Sequence, residues 1–312
     1  MNTQQIYERI TATIMEMLEE HKQSNFSQHW YHLSEDIFAR NIVTNHVYSG
    51  INQLLLSYIK RKQQYVYNRW LTFKQIQKYN ARIIKGSKTA MIVYTSNLYF
   101  DEDTGENITR KVEAMIRNKQ SIEDLNIKKV GYLKDYRVFN VACVEGLPES
   151  FYEKKELETL TEIERDERAD RIISDFGVNI IYEAQNEAYY KPSTDTIYMP
   201  LPKQFLSKED FLQVIYHEIG HATGHPKRLN RPIKNVFGDN FYAFEELVAE
   251  LTSAYMLAYL GYESQITNNV DYIDNWLSVM KDDKKFVIQA ASQAQAASDY
   301  ILQTANVEEF AA

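Results

Sequence analysis

Apolar residues along this chain fall into helical, alternating and interrupted patterns, and each predicts a kind of element. MNTQQIYERITATIMEMLEE is amphipathic, so a helix is expected over about residues 3–20, followed by a loop. SGINQLLLSYIKRK predicts a second helix. TFKQIQKYNA predicts a third, opened by Thr72 as a cap, with Phe73 and Ile76 close to helical spacing. KGSKTAMIVYTSNLYF runs from a glycine turn into β-branched, alternating residues and predicts a strand. DEDTGEN reads as a hairpin turn and YRVFNVACV as a further strand. Together these make a small α+β domain over residues 1–148.

The pattern changes after GLP. ESFYEKKELETLTEIERDERADR is densely charged and helical in character, which places a charged linker or helix at 149–165 and a second domain at 166–312. GVNIIYEA and AYYKPSTDTIYMP predict short strands joined by polar turns and ended by Pro200 and Pro202. Ser207 with Asp210 makes an N-terminal cap for a helix over residues 208–223, which Gly224 stops. FYAFEELVAELTSAYMLAYLG predicts another strong helix, closed by Gly261. There is no internal repeat and no low-complexity segment.

Charge adds a second layer. The formal net charge is −8, yet Ile37 to Phe100 contains no Asp or Glu and carries +10, leaving −18 for the remainder. The bases Arg40, Lys60, Arg61, Lys62, Arg69, Lys74, Lys78, Arg82, Lys85 and Lys88 are interleaved with Tyr48, Asn52, Tyr58, Tyr65, Trp70 and other rings and amides. Cations for phosphates and flat rings for bases are what a single-stranded nucleic acid groove needs. Tyr48, Asn52, Lys60, Arg61, Lys62, Arg69, Trp70, Lys74, Lys85 and Lys88 are therefore the expected DNA contacts. The competing reading is a solvated basic face over a tyrosine-rich core, with Trp70 inside it.

YHEIGHATGH, residues 216–225, carries the candidate chemistry. On a helix His217 and His221 lie one turn apart on one face and can direct two imidazoles at one metal. Glu218 projects about 100° away, near enough to take a proton from a water activated by that metal without ligating it. A histidine three residues after Gly224 would be a third ligand, but that position is Lys227. The better candidate is FEELVAE, where Glu246 can ligate and Glu250, one turn on, can accept from a histidine N–H outside the ligand shell. His225 falls past the helix end and is expected to support the site rather than ligate. Glu245 should point about 100° away from Glu246 and leave the metal alone.

Composition narrows the setting. No apolar run approaches the roughly 18 residues of a membrane span. The N-terminus lacks the basic start and apolar core of a signal peptide. The single Cys143 excludes an internal disulfide framework and a cysteine-based zinc cluster. A cytoplasmic protein without a membrane partner is expected.

The chain resembles the ArdC-type antirestriction proteins of conjugative plasmids and transposons. The matching pieces are YSGINQLLL, WLTFKQ, KGSKTAMIVY, VFNVACVEGLP, YYKPSTDTIYMP, YHEIGHATGHPKRLNR, FYAFEELVAEL and AASQAQAASDYIL, which cover most of the chain in order. The resemblance implies an α+β fold with a single-stranded-DNA-binding domain followed by a zincin-like, gluzincin-type metallopeptidase domain. It implies Zn2+ held by His217, His221 and a glutamate of EELVAE, with Glu218 catalytic. Cys143 departs from the glutamine expected in the FNVAxVEGLP motif. Three function classes compete: a DNA-protecting protein of a mobile element that also acts on a host protein or itself, a plain metallopeptidase delivered to DNA, and a non-proteolytic DNA-binding protein whose metal is structural. A three-ligand site with one position open favours an enzyme, whereas a fourth ligand such as His225 would favour the structural reading.

Overall fold

The structure, a computed structural model, describes residues 2–24, 29–31, 38–118, 120–122, 125–153, 162–231, 240–267 and 270–306. Helix α1 (Thr3–Gln23) opens with a capping box in which Asn2 and Gln5 exchange bonds of 2.9 and 3.0 Å. Its Ile6, Ile10, Ile14, Met17 and Leu18 recur at helical spacing, and all are buried. Two short strands, β1 (His29–Tyr31) and β2 (Arg40–Asn41), lead to helix α2 (Ile51–Lys62). Gly50, just before α2, has φ +52° and donates its N–H to Gln295 at 3.1 Å. A side chain there would be strained.

Strand β3 (Arg69–Thr72) runs into α3 (Phe73–Lys78), where Thr72 and Gln75 form the predicted cap. Then come β4 (Arg82–Ile83), β5 (Ala90–Asp101), α4 (Thr109–Arg117), β6 (Ile127–Asn140) and β7 (Val144–Glu145). DEDTGEN does not turn the chain straight back. Asp101 accepts from the N–H groups of Asp103 and Thr104, but the turn leads into α4 before β6 returns. YRVFNVACV is only the end of β6. Its VAC folds into one 3₁₀ turn, because the Asn140 side chain accepts from Ala142 N–H at 3.0 Å. The four-stranded sheet has the order β2-β3-β6-β5, and β5 pairs with β6 from Ala90↔Val138 to Asp101↔Ile127.

The second half contains α5 (Glu162–Phe176), β8 (Asn179–Glu183), β9 (Tyr189–Lys191) and β10 (Thr196–Pro200). Part of the charged segment expected at 149–165 lies outside the described residues. β10 is central, parallel to β8 and antiparallel to the edge strand β9. Helices α6 (Lys208–Thr223) and α7 (Asn240–Leu260), strand β11 (Ser264–Gln265), and helices α8 (Val270–Asp282) and α9 (Phe286–Thr304) complete the chain. Ser207 caps α6 by accepting from Asp210 N–H at 3.0 Å. Gly224 stays right-handed, at φ −73°, so the following turn ends α6 rather than a left-handed glycine. Gly261 does take φ +80° after α7.

The two largest apolar clusters among the described residues organise these elements. One joins Ile10, Leu18, Leu55 and Val93 of the first half to Val248, Trp276 and Ala291 of the second. The halves expected at 1–148 and 166–312 therefore share a core. The other cluster lies among α5, the β8–β10 sheet, α6, α7 and α9. Helices α7 and α9 serve both. Among the described residues no helix is long and apolar enough to cross a membrane.

Candidate metal centre

Helices α6 and α7 approach each other closely at Gly220. A Cβ there would lie 3.0 Å from the Ala249 Cα and 3.3 Å from its carbonyl oxygen. Backbone cannot give way as a flexible side chain can, so glycine at this position sets the helix separation. That separation brings Glu246 of α7 over the two histidines of α6. The Nε2 atoms of His217 and His221 lie 3.2 Å apart. Glu246 places Oε2 3.4 Å from the first and Oε1 3.5 Å from the second. Among the described residues these three form the group able to hold a metal ion, with ligand atoms within 4.8 Å of one another.

The far ring nitrogens are also held. His217 Nδ1 lies 3.6 Å from Glu250, whose other oxygen accepts from Thr267 N–H at 2.8 Å. His221 Nδ1 lies 3.3 Å from Glu245. Arg231 clamps Glu245 through both oxygens at 2.7 and 3.1 Å, and donates to Gly220 O and Thr223 Oγ1. Glu245 is indeed not on the Nε2 side, but it is not a bystander. A carboxylate on the opposite edge of the imidazole fixes the ring that the metal would use. The i, i+4 spacing pointed to Glu246 and Glu250; Glu245 and Arg231 carry no spacing that would have revealed their roles.

The charges are mutually dependent. Burial disfavours ionisation of Glu246, but its bonds to His217 and the two nearby imidazoles outweigh this and lower its pKa to about 2. Burial likewise opposes a charge on His217, yet Glu246 and Glu250 raise its pKa well above 6.5. Glu245 stays below its ordinary value because His221 and Arg231 outweigh burial. Glu218 is buried and lines the same cavity, of about 290 Å³, with Tyr189, Tyr190, Tyr242 and Tyr272. The hydroxyls of Tyr242 and Tyr272 lie 3.0 Å apart on its wall. His225 belongs elsewhere. Its Nδ1 accepts from Lys227 N–H at 3.2 Å and lies 3.9 Å from Asp195, which Arg228 grips at 2.8 and 3.1 Å. The turn after α6 carries it toward the β9–β10 connection, which corrects its expected place beside the metal.

The basic window divides into buried and exposed parts. Trp70 is fully buried on β3 between β2 and β6, and its Nε1 donates to Asn68 at 2.9 Å. Arg69, 1% exposed, donates to the carbonyls of Phe151 and Glu153. Tyr48 is buried as well. Asn52 bonds the Val93 N–H and carbonyl, both at 2.8 Å, at the outer edge of β5. Lys62 pairs with Glu16 and Glu20 of α1. Lys60 and Arg61 are half-buried on α2, with Arg61 over the Tyr58 ring. Lys74, Lys85 and Lys88 are exposed. The expected DNA roles of Trp70 and Arg69 are thus corrected, because a central strand binds them into the fold, whereas Tyr48 and Asn52 keep a place on the wall of a cleft beside β5.

Comparison with known proteins fits both halves. Residues 4–139 match the family model of the N-terminal domain of anti-restriction factor ArdC, and residues 167–293 match a zincin-like metallopeptidase. A metal-free crystal structure of the antirestriction ArdC protein from plasmid R388 superposes with a TM-score of 0.74 at 28% identity, covering 97% of this chain and 99% of that one. The uncharacterized protein y4eC of Sinorhizobium fredii is 30% identical over 306 residues, 95% of this chain and 91% of its own length. This chain belongs to the ArdC family of antirestriction proteins. The R388 ArdC protein has also been crystallised with Mn(II), in a structure of TM-score 0.73 at 27% identity, covering 96% of this chain and 97% of that one. The ArdC-type sequence extends into a larger relative: the Escherichia coli DNA primase TraC is 31% identical over 266 residues, 84% of this chain but 24% of the primase.

Proposed function

We propose that this ArdC-family protein binds single-stranded DNA of a mobile element and hydrolyses peptide bonds at a zinc site, acting on a host protein or on itself. The observation that carries the enzymatic part is the convergence of His217, His221 and Glu246, with Glu218 opening on the same cavity. Two imidazoles and one carboxylate suit zinc and leave a coordination position for water. Bound there, zinc supplies the Lewis acidity that brings a water's pKa toward neutrality. Glu218 would take a proton from a water as its oxygen adds to the peptide carbonyl carbon, and return it to the amide nitrogen as the C–N bond breaks. Edge strand β9, beside the cavity, offers backbone partners to an extended peptide. The turn of His225 toward Asp195 supports a site with an open position rather than a closed one.

The DNA part is supported by the family, by the relationship to a DNA primase and by the exposed lysines of the acid-free window. The test combines elemental analysis for zinc with cleavage of casein and self-cleavage. Wild type is expected to hold zinc and cleave, Glu218→Gln to hold zinc without cleaving, and Glu246→Ala to lose the metal. Zinc present in wild type with no cleavage of either substrate would move the conclusion to the structural-metal reading.

A further inference from the structure

Two exposed aromatic rings of the first half, Tyr94 and Tyr136, lie on the β5–β6 pair rather than on β3. Cross-strand partners on β5 and β6 share a face, so Ile92 stands beside Tyr136, Tyr94 beside Lys134, Leu98 beside Val130 and Phe100 beside Lys128. The opposite face, with Met91, Val93 and Leu133, is in the core. On the outer face Tyr94 is 54% exposed and Tyr136 41%. They are diagonal neighbours, roughly 7–8 Å apart, which is room for one base on each ring. The Lys134 ammonium sits 5.3 Å from the Tyr136 ring centre. The loop before α2 and the side of α9 rise around these rings to form a cleft of about 670 Å³, lined also by His46, Ser292 and Gln295.

We propose that this cleft is where single-stranded DNA lies, with bases stacked on Tyr94 and Tyr136 and a phosphate on Lys134. The proposal rests on the single-strand-binding reading above and assigns it a surface. Stacking needs unpaired bases, which excludes duplex, and a cation set against two open rings suits a nucleotide better than an apolar peptide. Acidic groups bound the path. Asp299 of α9 is on the cleft wall, held by Gln295 at 2.8 Å, and Asp101 and Glu102 stand at the far end of β5. The strand therefore covers the Tyr94–Tyr136 end of the hairpin and stops short of its turn. Because α9 forms one wall, the bound strand touches both halves of the chain.

The test is fluorescence anisotropy of labelled oligothymidylate with the full chain across a salt series. Tyr94→Ala and Tyr136→Ala should each weaken binding about 5- to 150-fold with the salt slope unchanged. Tyr94→Phe should bind like wild type. Lys134→Ala should lower the log–log salt slope by about 0.7, and Asp299→Asn should tighten binding. Thermal melts followed by circular dichroism check that the variants are folded. Tight binding by wild type that neither alanine variant alters would overturn the cleft and leave the single-strand reading standing. No binding by wild type at any salt would overturn both, and tighter binding of oligouridylate would overturn the choice of DNA.

Discussion

The α6–α7 junction and the acid-free segment around β3 were both picked out by their residue types, but they fare differently in three dimensions. At the junction, helical spacing fixes where each side chain points, and His217, His221 and Glu246 meet as that spacing requires. Around β3, a run of bases and rings says what chemistry is present but not which face it occupies. Trp70 and Arg69 go inside, whereas Tyr94 and Tyr136, outside the expected contacts, stay in solvent. Periodicity locates a side chain; composition only counts it.

The sharpest way to break that contrast is Trp70→Ala. Removing a fully buried indole should destabilise the protein by about 3–5 kcal/mol, read as a fall in denaturation midpoint. A near-neutral effect would mean that Trp70 is not the core residue described above. Gly220→Ala comes next. A methyl group against Ala249 backbone forces the helices apart, and overpacking of this kind costs about 1–3 kcal/mol. Calorimetry should show weaker zinc binding as well, because the ligands sit on the two helices being separated. Unchanged affinity would detach the glycine from the site.

Glu245→Gln tests the carboxylate that spacing alone left idle. It should weaken metal binding about 10- to 100-fold without abolishing it, in contrast to Glu246→Ala. An effect below twofold in competition titrations would return Glu245 to the role of a bystander. The smallest effect concerns pH. In the metal-free protein the raised pKa of His217 gives stability that is fully present below 6.5 and fades as pH rises through its folded value. Glu246, depressed to about 2, contributes stability that is present above 4.5 and lost as pH falls through about 2. Metal must displace the proton on His217, so apparent affinity should climb as pH rises from 6.5 toward the raised folded value, by at most about tenfold per unit. The zinc-induced gain in Tm should grow over the same range, and a gain independent of pH would contradict the protonated histidine.

Much of this architecture was legible from local signals. The Thr72 and Ser207 caps, the α6 and α7 helices and the Gly261 stop follow from side chains acting on backbone a few residues away. Signals of longer range were not. The length of β6 depends on its pairing with β5 across α4, and the return of His225 toward Asp195 depends on a turn with no marked periodicity. Arg231 reaches Glu245 from outside both helices, a partnership that no spacing rule describes. The burial of Arg69 depends on carbonyls more than eighty residues further on.

The seat of α1 has a consequence for how the chain is made. Its apolar stripe, Ile6 to Leu18, is completed by Trp276 and Met280 of α8, synthesised roughly 250 residues later. At ribosomal rates of about 5–20 residues per second, α1 waits on the order of 12–50 s for its partner. During translation α1 is therefore left unfinished longer than the elements that follow it, and nascent chains stalled before α8 should be the most readily captured by chaperones and proteases.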